Sequence, residues 1–430
     1  MAVEMSLAAA ETRIRAAVEA ELASALAARE AARLRLEDQD WVYHLVGRLV
    51  ADEHRRGGFE LSREDCASLW KSVFGAVTPL GPLADHLTDP EVEEVRINGT
   101  STCFVLKEGR RQEVAPPFED ENRLVELVHW YTDGSGARFD RASPMVTLTL
   151  PDGSRLHAAL SPPARPLSIT IRRHPASRFR TVEDLATAGF LPAALRELLE
   201  AAVAGRLNLL VAGGTGTGKT TFMRVLCRLI PAGERVVTIE DQAELHLWKE
   251  LTDCVSLEGR PANVEGHGLI SIQMLVTEAL RMSPDRIVIG EVRGGEALDL
   301  LDAMNTGHPG SVCTLHAETP RETLPRLARL ALRNAHAPRP EAVIGEVVRT
   351  VDLVLHLGLS MEAGVRRRRL ASVGYVAGAE AGTPIVDELV RLGADGRWRR
   401  VGSPSAMPER SLLKLASVCD PDRLLEPLDV

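Results

Sequence analysis

The stretch LLVAGGTGTGKTTFM, residues 209–223, joins an aliphatic run to a helix-like run through four glycines and one lysine. It matches the phosphate-binding pattern G-x-x-x-x-G-K-[ST] at every position, in the strand-to-helix context that the pattern requires. Backbone N–H groups of such a loop surround phosphate oxygens, its lysine reaches the β- and γ-phosphates, and its threonine hydroxyl can bind Mg²⁺. The stretch therefore predicts a nucleoside triphosphate site made of Gly213, Gly214, Thr215, Gly216, Thr217, Gly218, Lys219, Thr220 and Thr221.

Composition limits the classes of protein that this chain can belong to. The length of 430 residues allows two or three domains, and 45% hydrophobic with 26% charged residues is typical of a soluble globular protein. We expect a cytoplasmic protein, because no apolar run is long enough to span a membrane and the first residues carry acids where a signal peptide is basic. The net charge of −9 argues against a chain built mainly to coat nucleic acid. The six cysteines lie far apart, without the spacing of a zinc site.

The pattern along the chain predicts four segments. Residues 1–36, rich in Ala, Glu and Arg, indicate a helical arm that is either an exposed helix or a poorly ordered leader. Residues 37–160 mix helix-like and strand-like runs, which favours a smaller α+β domain. Residues 161–180, rich in Pro and Arg around one short strand, are typical of a linker and predict a hinge. In 181–430, helices alternate with short aliphatic strands, which predicts an α/β domain with a parallel sheet, followed by hairpins and a helical tail.

Two of the predicted parallel strands end in acids. Glu240 and Asp241 follow one strand in VVTIEDQAEL, and Glu291 ends another in DRIVIGEVRGGE. Parallel strands deliver residues to the edge of the sheet where the phosphate loop lies, and a triphosphate needs one acid to orient water and another to organise Mg²⁺. The alternative is that each acid is a helix cap or a solvated strand end.

Histidines and arginines near these strands are further candidates. His308 and His316 flank the apolar strand in NTGHPGSVCTLHAE, where a histidine is more often structural than catalytic but could instead sense the γ-phosphate. Arg172 and Arg173 lie in the predicted linker, from which they could swing over a nucleotide or simply stay solvated. Arg366–Arg369 could bind anionic lipid or nucleic acid, but strand alternation would put only half of them on one face. A solvated strand is the simpler interpretation.

Taken together, these segments resemble the secretion-superfamily traffic ATPases of type II and type IV secretion systems and pili. The similarity covers about residues 75–360 and is greatest to the CpaF/TadA branch, which powers assembly of tight-adherence (Flp-type) pili. GGTGTGKTT resembles the Walker A motif, TIEDQAEL the Asp box, RMSPDRIVIGEVRGGEALDLLDAMNTGHPGS the Walker B motif and the start of the His box, and TLHAETPRE the rest of that box. The resemblance implies a RecA-like P-loop NTPase core in the C-terminal domain.

The resemblance also implies roles and partners. It implies Glu240 as the water-orienting base, Glu291 as the Walker B acid near Mg²⁺, and His308 and His316 as His-box residues. It implies a homo-hexamer that hydrolyses ATP, with Arg172 or Arg173 reaching a neighbour's nucleotide, and inner-membrane platform proteins as partners. Because Glu291 stands where a standard Walker B strand ends in Asp, metal placement would depend on Thr220 and water more than on a direct carboxylate. The zinc-binding cysteines of some type II relatives are absent.

Two other functions remain open. One is an ATP-binding switch or adaptor that regulates a membrane complex and turns over negligibly. The other is a nucleic-acid translocase, which would need basic loops facing a pore and which the acidic net charge disfavours. A full set of hydrolytic residues favours the motor.

Overall fold

The computed structural model describes two compact units, 1–176 and 177–430. The residues that it describes are 2–28, 39–56, 62–77, 83, 86, 87, 89, 91–107, 109–116, 118, 120–133, 137–150, 153–173, 179–260, 262, 267–362 and 365–425.

The first unit is an antiparallel sheet with helices. Its helices are α1 (Ala2–Ala28), α2 (Gln39–Arg56), α3 (Arg63–Val77) and α4 (Glu121–Thr132). Its strands are β1 (Val92–Asn98), β2 (Thr102–Lys107), β3 (Arg110–Val114), β4 (Met145–Thr149), β5 (Arg155–Ala159) and β6 (Ser168–Arg172). Their order across the sheet is β3-β2-β1-β6-β5-β4. The predicted smaller α+β domain is confirmed.

Helix α1 corrects the expectation of an exposed or poorly ordered arm. Ala10, Ile14, Val18 and Leu22 recur every four residues and are buried. That spacing places them on one helical face, and they belong to the same apolar core as α2, α3 and the sheet. The stripe is narrow, with one buried residue in each turn among alanines and charged residues, so the composition suggested an exposed helix. Residues 29–36 of the predicted arm lie outside the described residues.

The predicted linker, 161–180, is shorter than expected. Strand β6 lies between β1 and β5, with Ile169 and Ile171 fully buried. A strand in the middle of a sheet is held by hydrogen bonds on both sides and cannot serve as a hinge. Residues 174–178 of the linker lie outside the described residues.

The second unit is built on a nine-stranded sheet. Its strands are β7 (Leu209–Gly213), β8 (Val236–Glu240), β9 (Cys254–Glu258), β10 (Arg286–Val292), β11 (Val312–Leu315), β12 (Leu353–Glu362), β13 (Val365–Glu380), β14 (Thr383–Leu392) and β15 (Trp398–Arg400). Their order is β15-β14-β13-β12-β7-β11-β10-β8-β9. The pairs from β12 to β9 are parallel, and β12 to β15 are antiparallel.

Helices cover both faces of this sheet. They are α5 (Val182–Thr187), α6 (Arg196–Ala204), α7 (Lys219–Cys227), α8 (Ile272–Ala279), α9 (Glu296–Asn305), α10 (Pro320–Ala331), α11 (Pro340–Thr350) and α12 (Glu409–Ala416). Two apolar cores result, one on each face, and every residue of β7, β8 and β11 is buried. The predicted α/β core is confirmed, and its short aliphatic runs RLNLLVAG, RVVTIED, DRIVIGEV, SVCTLHA and TVDLVLHLG contain the five strands β7, β8, β10, β11 and β12. Strand β9 was not predicted, because its sequence is only partly buried and has no clear alternation.

A buried carboxylate fastens α12 to the start of β7 and β12. The Asp352 side chain has no exposed surface. It accepts hydrogen bonds from Asn208 N–H at 2.9 Å, Ser411 Oγ at 2.6 Å and Lys414 Nζ at 2.6 Å. Arg410 Nε lies 3.4 Å from Oδ1, the oxygen that Ser411 also contacts, whereas Asn208 and Lys414 bind Oδ2. These contacts compensate the carboxylate for its lost hydration.

We expect Asp352→Ala to lower the free energy of unfolding by about 3–5 kcal/mol, because it leaves the Lys414 ammonium without its buried partner. The measurement is the urea midpoint of the unmodified and substituted chains. Asp395→Ala is the matched control, since Asp395 pairs with Arg399 on the surface and its loss should leave the midpoint unchanged. Equal midpoints for all three chains would contradict this account of Asp352.

Candidate functional site

The phosphate loop begins where β7 ends, at the carboxyl edge of the sheet. Gly213, Gly216 and Gly218 have φ of 152°, 75° and 94°, values that residues with a side chain rarely adopt. At Gly213 a Cβ would also lie 2.6 Å from the carbonyl oxygen of Leu357 on β12. The loop thus needs glycine both for its backbone conformation and for the close approach of β12.

Lys219, the first residue of α7, is folded back onto its own loop. Its Nζ donates to the carbonyl oxygens of Gly213 at 3.0 Å and Gly214 at 2.9 Å. The side chain is buried, and Nζ lies 3.3 Å from His316 Nδ1. The ammonium is therefore held at the mouth of the loop, where a phosphate would meet it.

Glu240 ends β8 beside Gly290 of β10, as the strand pairing predicts. Its Oε1 accepts the backbone N–H groups of Glu244 and Leu245, both at 3.1 Å. A Cβ on Gly290 would lie 2.9 Å from Glu240 Cγ, so the glycine makes room for the acid. Burial raises the pKa of the Glu240 carboxyl to about 7, although the two N–H groups oppose that effect. A carboxyl with this pKa is suited to proton transfer near neutral pH.

Glu291 and His316 meet at the same edge. His316 Nε2 lies 3.1 Å from Glu291 Oε1, and Arg293 Nη2 donates to Glu291 Oε2 at 2.6 Å. Arg293 also pairs with Asp241 at 2.7 Å. A continuous series of contacts therefore runs from Lys219 through His316, Glu291 and Arg293 to Asp241.

The pKa values of this series follow from burial and charge. Burial alone would raise the pKa of Glu291, but its hydrogen bond to Arg293 and the nearby positive charges lower it below its usual value. Burial and the Lys219 ammonium lower the pKa of His316, which favours the neutral imidazole. Glu291 is thus ionised while Glu240 is partly protonated at neutral pH.

Oxygen atoms at this edge have the chemistry that a magnesium ion requires. Thr220 Oγ1 donates to Glu244 Oε2 at 3.3 Å, and Glu291 is linked through His316 to Lys219, the residue before Thr220. Hydroxyl and carboxylate oxygens, with substrate phosphates and water, are the usual ligands of Mg²⁺ in proteins. The donor set fits the predicted ion.

His308 does not lie with this group within the subunit, and its role as a site residue stays a prediction. His308 comes before β11, which begins at Val312, whereas His316 comes directly after β11, which ends at Leu315. The two histidines therefore lie at opposite ends of one strand, and only His316 is at the carboxyl edge. His308 Nδ1 lies 3.1 Å from the carbonyl oxygen of Ala303, and Ser311 Oγ donates to the His308 carbonyl at 2.8 Å. These contacts give it a structural part in the turn before β11.

Arg172 and Arg173 belong to the first unit. Arg172 is the exposed last residue of β6, paired in register with Glu94 and Arg155. The Arg173 guanidinium donates to the backbone carbonyl of Asp89. Their assignment to a neighbour's nucleotide stays a prediction.

Sequence reasoning missed three groups at this edge. Glu244 lies within the quoted TIEDQAEL segment, four residues after Glu240, and contacts Thr220. Arg293 follows Glu291 by two residues, just after β10 ends at Val292, and its side chain folds back to that acid. Arg368, on β13, donates from Nε to the carbonyl oxygen of Gly216 at 2.9 Å. The first two could have been inferred from local spacing, but the third requires the pairing of distant strands.

The sheet, the phosphate loop and the acids at its edge define a P-loop nucleoside triphosphatase with a RecA-like core. Residues 78–371 match the family model described as Type II/IV secretion system protein, and the chain belongs to this family. Its members are secretion ATPases, so the chain is an ATP hydrolase of that class.

The sequence is also similar to individual proteins of transfer and secretion systems. The chain is 39% identical over 277 residues to a Mycobacterium tuberculosis protein assigned to conjugal transfer, covering 61% of this chain and 74% of the relative. It is 31% identical over 322 residues to the type IV secretion system protein VirB11 of Brucella suis, covering 69% and 89%. Among solved structures, the pilus retraction motor PilT with bound ADP matches with a TM-score of 0.50 at 19% identity, over 70% of this chain and 83% of that one. This last likeness supports the fold.

No helix among the described residues is long and apolar enough to cross a bilayer.

The raised pKa of Glu240 predicts a pH dependence of stability. Its folded pKa of about 7 exceeds the unfolded value near 4.5, so its contribution is complete below pH 4.5 and is lost as the pH rises through 7. We expect the unmodified chain to lose on the order of 2–3 kcal/mol more than Glu240→Gln between pH 5 and pH 8. The measurement is urea unfolding at several pH values. Histidines titrate in both chains, so the difference isolates Glu240, and parallel stability curves would contradict this prediction.

Proposed function

We propose that the protein is a hexameric motor that uses ATP hydrolysis to drive pilus assembly or retraction, or protein secretion, across the bacterial inner membrane. One observation carries the hydrolytic part of the proposal: Glu240, Glu291 and His316, at the ends of three parallel strands, lie at the same edge of the sheet as Lys219 at the start of α7. The type of cargo and the tight-adherence pilus branch are proposed from the resemblance of the sequence motifs.

Binding of ATP would release Lys219 from the carbonyl oxygens of its own loop. Those oxygens are weak partners compared with a charged phosphate, which the lysine and the N–H groups of residues 214–221 can bind. The positive end of α7 points at the same position. Thr220, Glu291 and water would hold Mg²⁺, which supplies charge stabilisation on the phosphates when bound.

Glu240 would act as the base. Its ionised form takes a proton from a water molecule, the water oxygen bonds to the γ-phosphorus, and the bond to the ADP oxygen breaks. His316 lies between Lys219 and Glu291, where its neutral ring can respond to the γ-phosphate. The hydrogen bonds that Glu244 and Leu245 donate hold the Glu240 carboxylate in a fixed orientation.

A test of this assignment compares steady-state ATP hydrolysis by three variants. We expect Lys219→Ala and Glu240→Gln to reduce kcat/KM by about a hundredfold or more, because one loses the phosphate cation and the other the base. Lys249→Ala is the matched control, since Lys249 is exposed and lies over Trp248. The measurement is phosphate release, with and without DNA and with membranes that contain the platform proteins.

The outcomes distinguish the candidate functions. Wild-type rates in either site variant would reject the assignment of that residue. Turnover that stays negligible with membranes present would favour the ATP-dependent switch, and turnover that requires DNA would favour a translocase.

The ring arrangement makes a separate prediction about Arg172 and Arg173. If they act on a neighbour's nucleotide, a subunit with both changed to Ala keeps an intact phosphate loop, while Lys219→Ala keeps intact arginines. Mixing the two inactive proteins should restore hydrolysis at about a quarter of the interfaces, where an intact loop meets an intact arginine. Phosphate release by the mixture measures this. Activity no greater than the average of the two variants would contradict action in trans.

A further inference from the structure

The arginine run on β13 lies next to the phosphate loop. Strand β12 runs parallel to β7, with Leu357 paired to Gly213, and continues past the end of β7 to Glu362. That extension is roughly 15 Å at 3.3 Å per residue. Strand β13 returns antiparallel, with Arg368 opposite Leu359 and Arg366 opposite Met361. The hairpin therefore places the arginines beyond the carboxyl edge of the sheet, beside the loop.

Side chains alternate along β13, so Arg366 and Arg368 share one face and Arg367 and Arg369 share the other. Arg369 turns toward β15, where Nη1 donates to Gly396 at 3.1 Å and the guanidinium lies 5.6 Å from the centre of the Trp398 ring. Arg366 and Arg368 lie on the other face. Arg368 Nε donates to the Gly216 carbonyl at 2.9 Å, and Arg366 Nη2 lies 4.0 Å from where a Cβ of Gly216 would be.

The stem of Arg368 is in van der Waals range of the loop. Arg368 Cδ lies 3.6 Å from the position of a Cβ on Gly218, the residue just before Lys219. The stem of Arg368 thus packs against the last turn of the loop while its guanidinium reaches the middle of it. Both arginine side chains are exposed, so their charged ends are accessible to a ligand.

The balance of charges at the site favours phosphate binding by Arg366 and Arg368. The edge carries Glu240, Glu244 and Glu291, and Arg293 is already paired with Glu291 and Asp241. A magnesium-bound triphosphate adds further negative charge, which Lys219 alone does not balance. A guanidinium on the open side of the loop can bind two phosphate oxygens at once.

We propose that Arg366 and Arg368 contact the phosphate chain of the nucleotide bound in their own subunit. They differ from Arg172 and Arg173, which are proposed to act on a neighbour. As with Lys219, binding would exchange a loop carbonyl for a phosphate as the partner of Arg368. The inference rests on nucleotide binding at the phosphate loop.

The experiment measures dissociation constants of the full chain for fluorescent ATP and ADP analogues. We expect Arg366→Ala/Arg368→Ala to bind both analogues at least tenfold more weakly, and Arg368→Lys to bind them with intermediate affinity because a lysine keeps the charge but not the paired donors. Arg367→Ala is the matched control. This variant removes the same charge from the same strand, but the side chain of Arg367 projects from the opposite face. Its dissociation constants for both analogues should therefore stay within twofold of the unmodified chain.

Two results would overturn the inference: affinities of the double variant within twofold of the unmodified chain, or an equal loss in Arg367→Ala. The single variants Arg366→Gln and Arg368→Gln, together with the melting temperature of each nucleotide-free chain, separate loss of binding from loss of folding. Lys219→Ala separates the two proposals. If it abolishes binding while the arginine variants do not, only this inference fails, whereas absence of binding by the unmodified chain rejects the nucleotide site itself.

Discussion

The close passage of β12 past the end of β7 is the constraint on which the site depends. At Gly213 the chain leaves a buried strand with φ of 152°, and a Cβ there would lie 2.6 Å from the Leu357 carbonyl. This contact fixes where the phosphate loop begins, and β12 then continues alongside it. The opposite side of the site has a similar contact, where Gly290 leaves room for Glu240. Glycines thus allow the close backbone approach on both sides of the site, at Gly213 and at Gly290.

The cations at the site bind oxygen atoms of the protein itself. Lys219 and Arg368 donate to carbonyl oxygens of the loop, and Arg293 connects Glu291 with Asp241. A phosphate carries more charge than the loop carbonyl oxygens or the carboxylates that share Arg293. It would therefore bind these cations more strongly. The lowered pKa of Glu291 and the raised pKa of Glu240 give the two acids different protonation near pH 7. Different environments therefore assign different chemistry to two glutamates at adjacent strand ends.

Several elements could be predicted from sequence because their signals are local. The five aliphatic runs of the second unit all proved to be strands, since fully buried parallel strands are almost continuously apolar. Strand β9 was missed because partial burial leaves no such run. Helix α1 was misjudged because its stripe has only one buried residue in each turn, such as Ile14 and Val18, among alanines and charged residues. His308 was grouped with His316 by the motif alone, although it precedes β11 and therefore lies at the amino end of that strand, away from the carboxyl edge.

The sequence by itself determined the class of protein, since a glycine-rich loop between a strand and a helix has few other uses than binding phosphate. It also predicted that Glu240 and Glu291 lie at one edge of the sheet, because parallel strands share one carboxyl edge, and both residues lie there. Only the tertiary structure decided that Arg366 and Arg368 lie at this loop, which is about 150 residues away along the chain. Strand pairing between β7 and β12 and the return of β13 bring them there, and no local pattern encodes such a contact. The physical reason is that hydrogen-bonded neighbours in a sheet are set by the packing of the whole core.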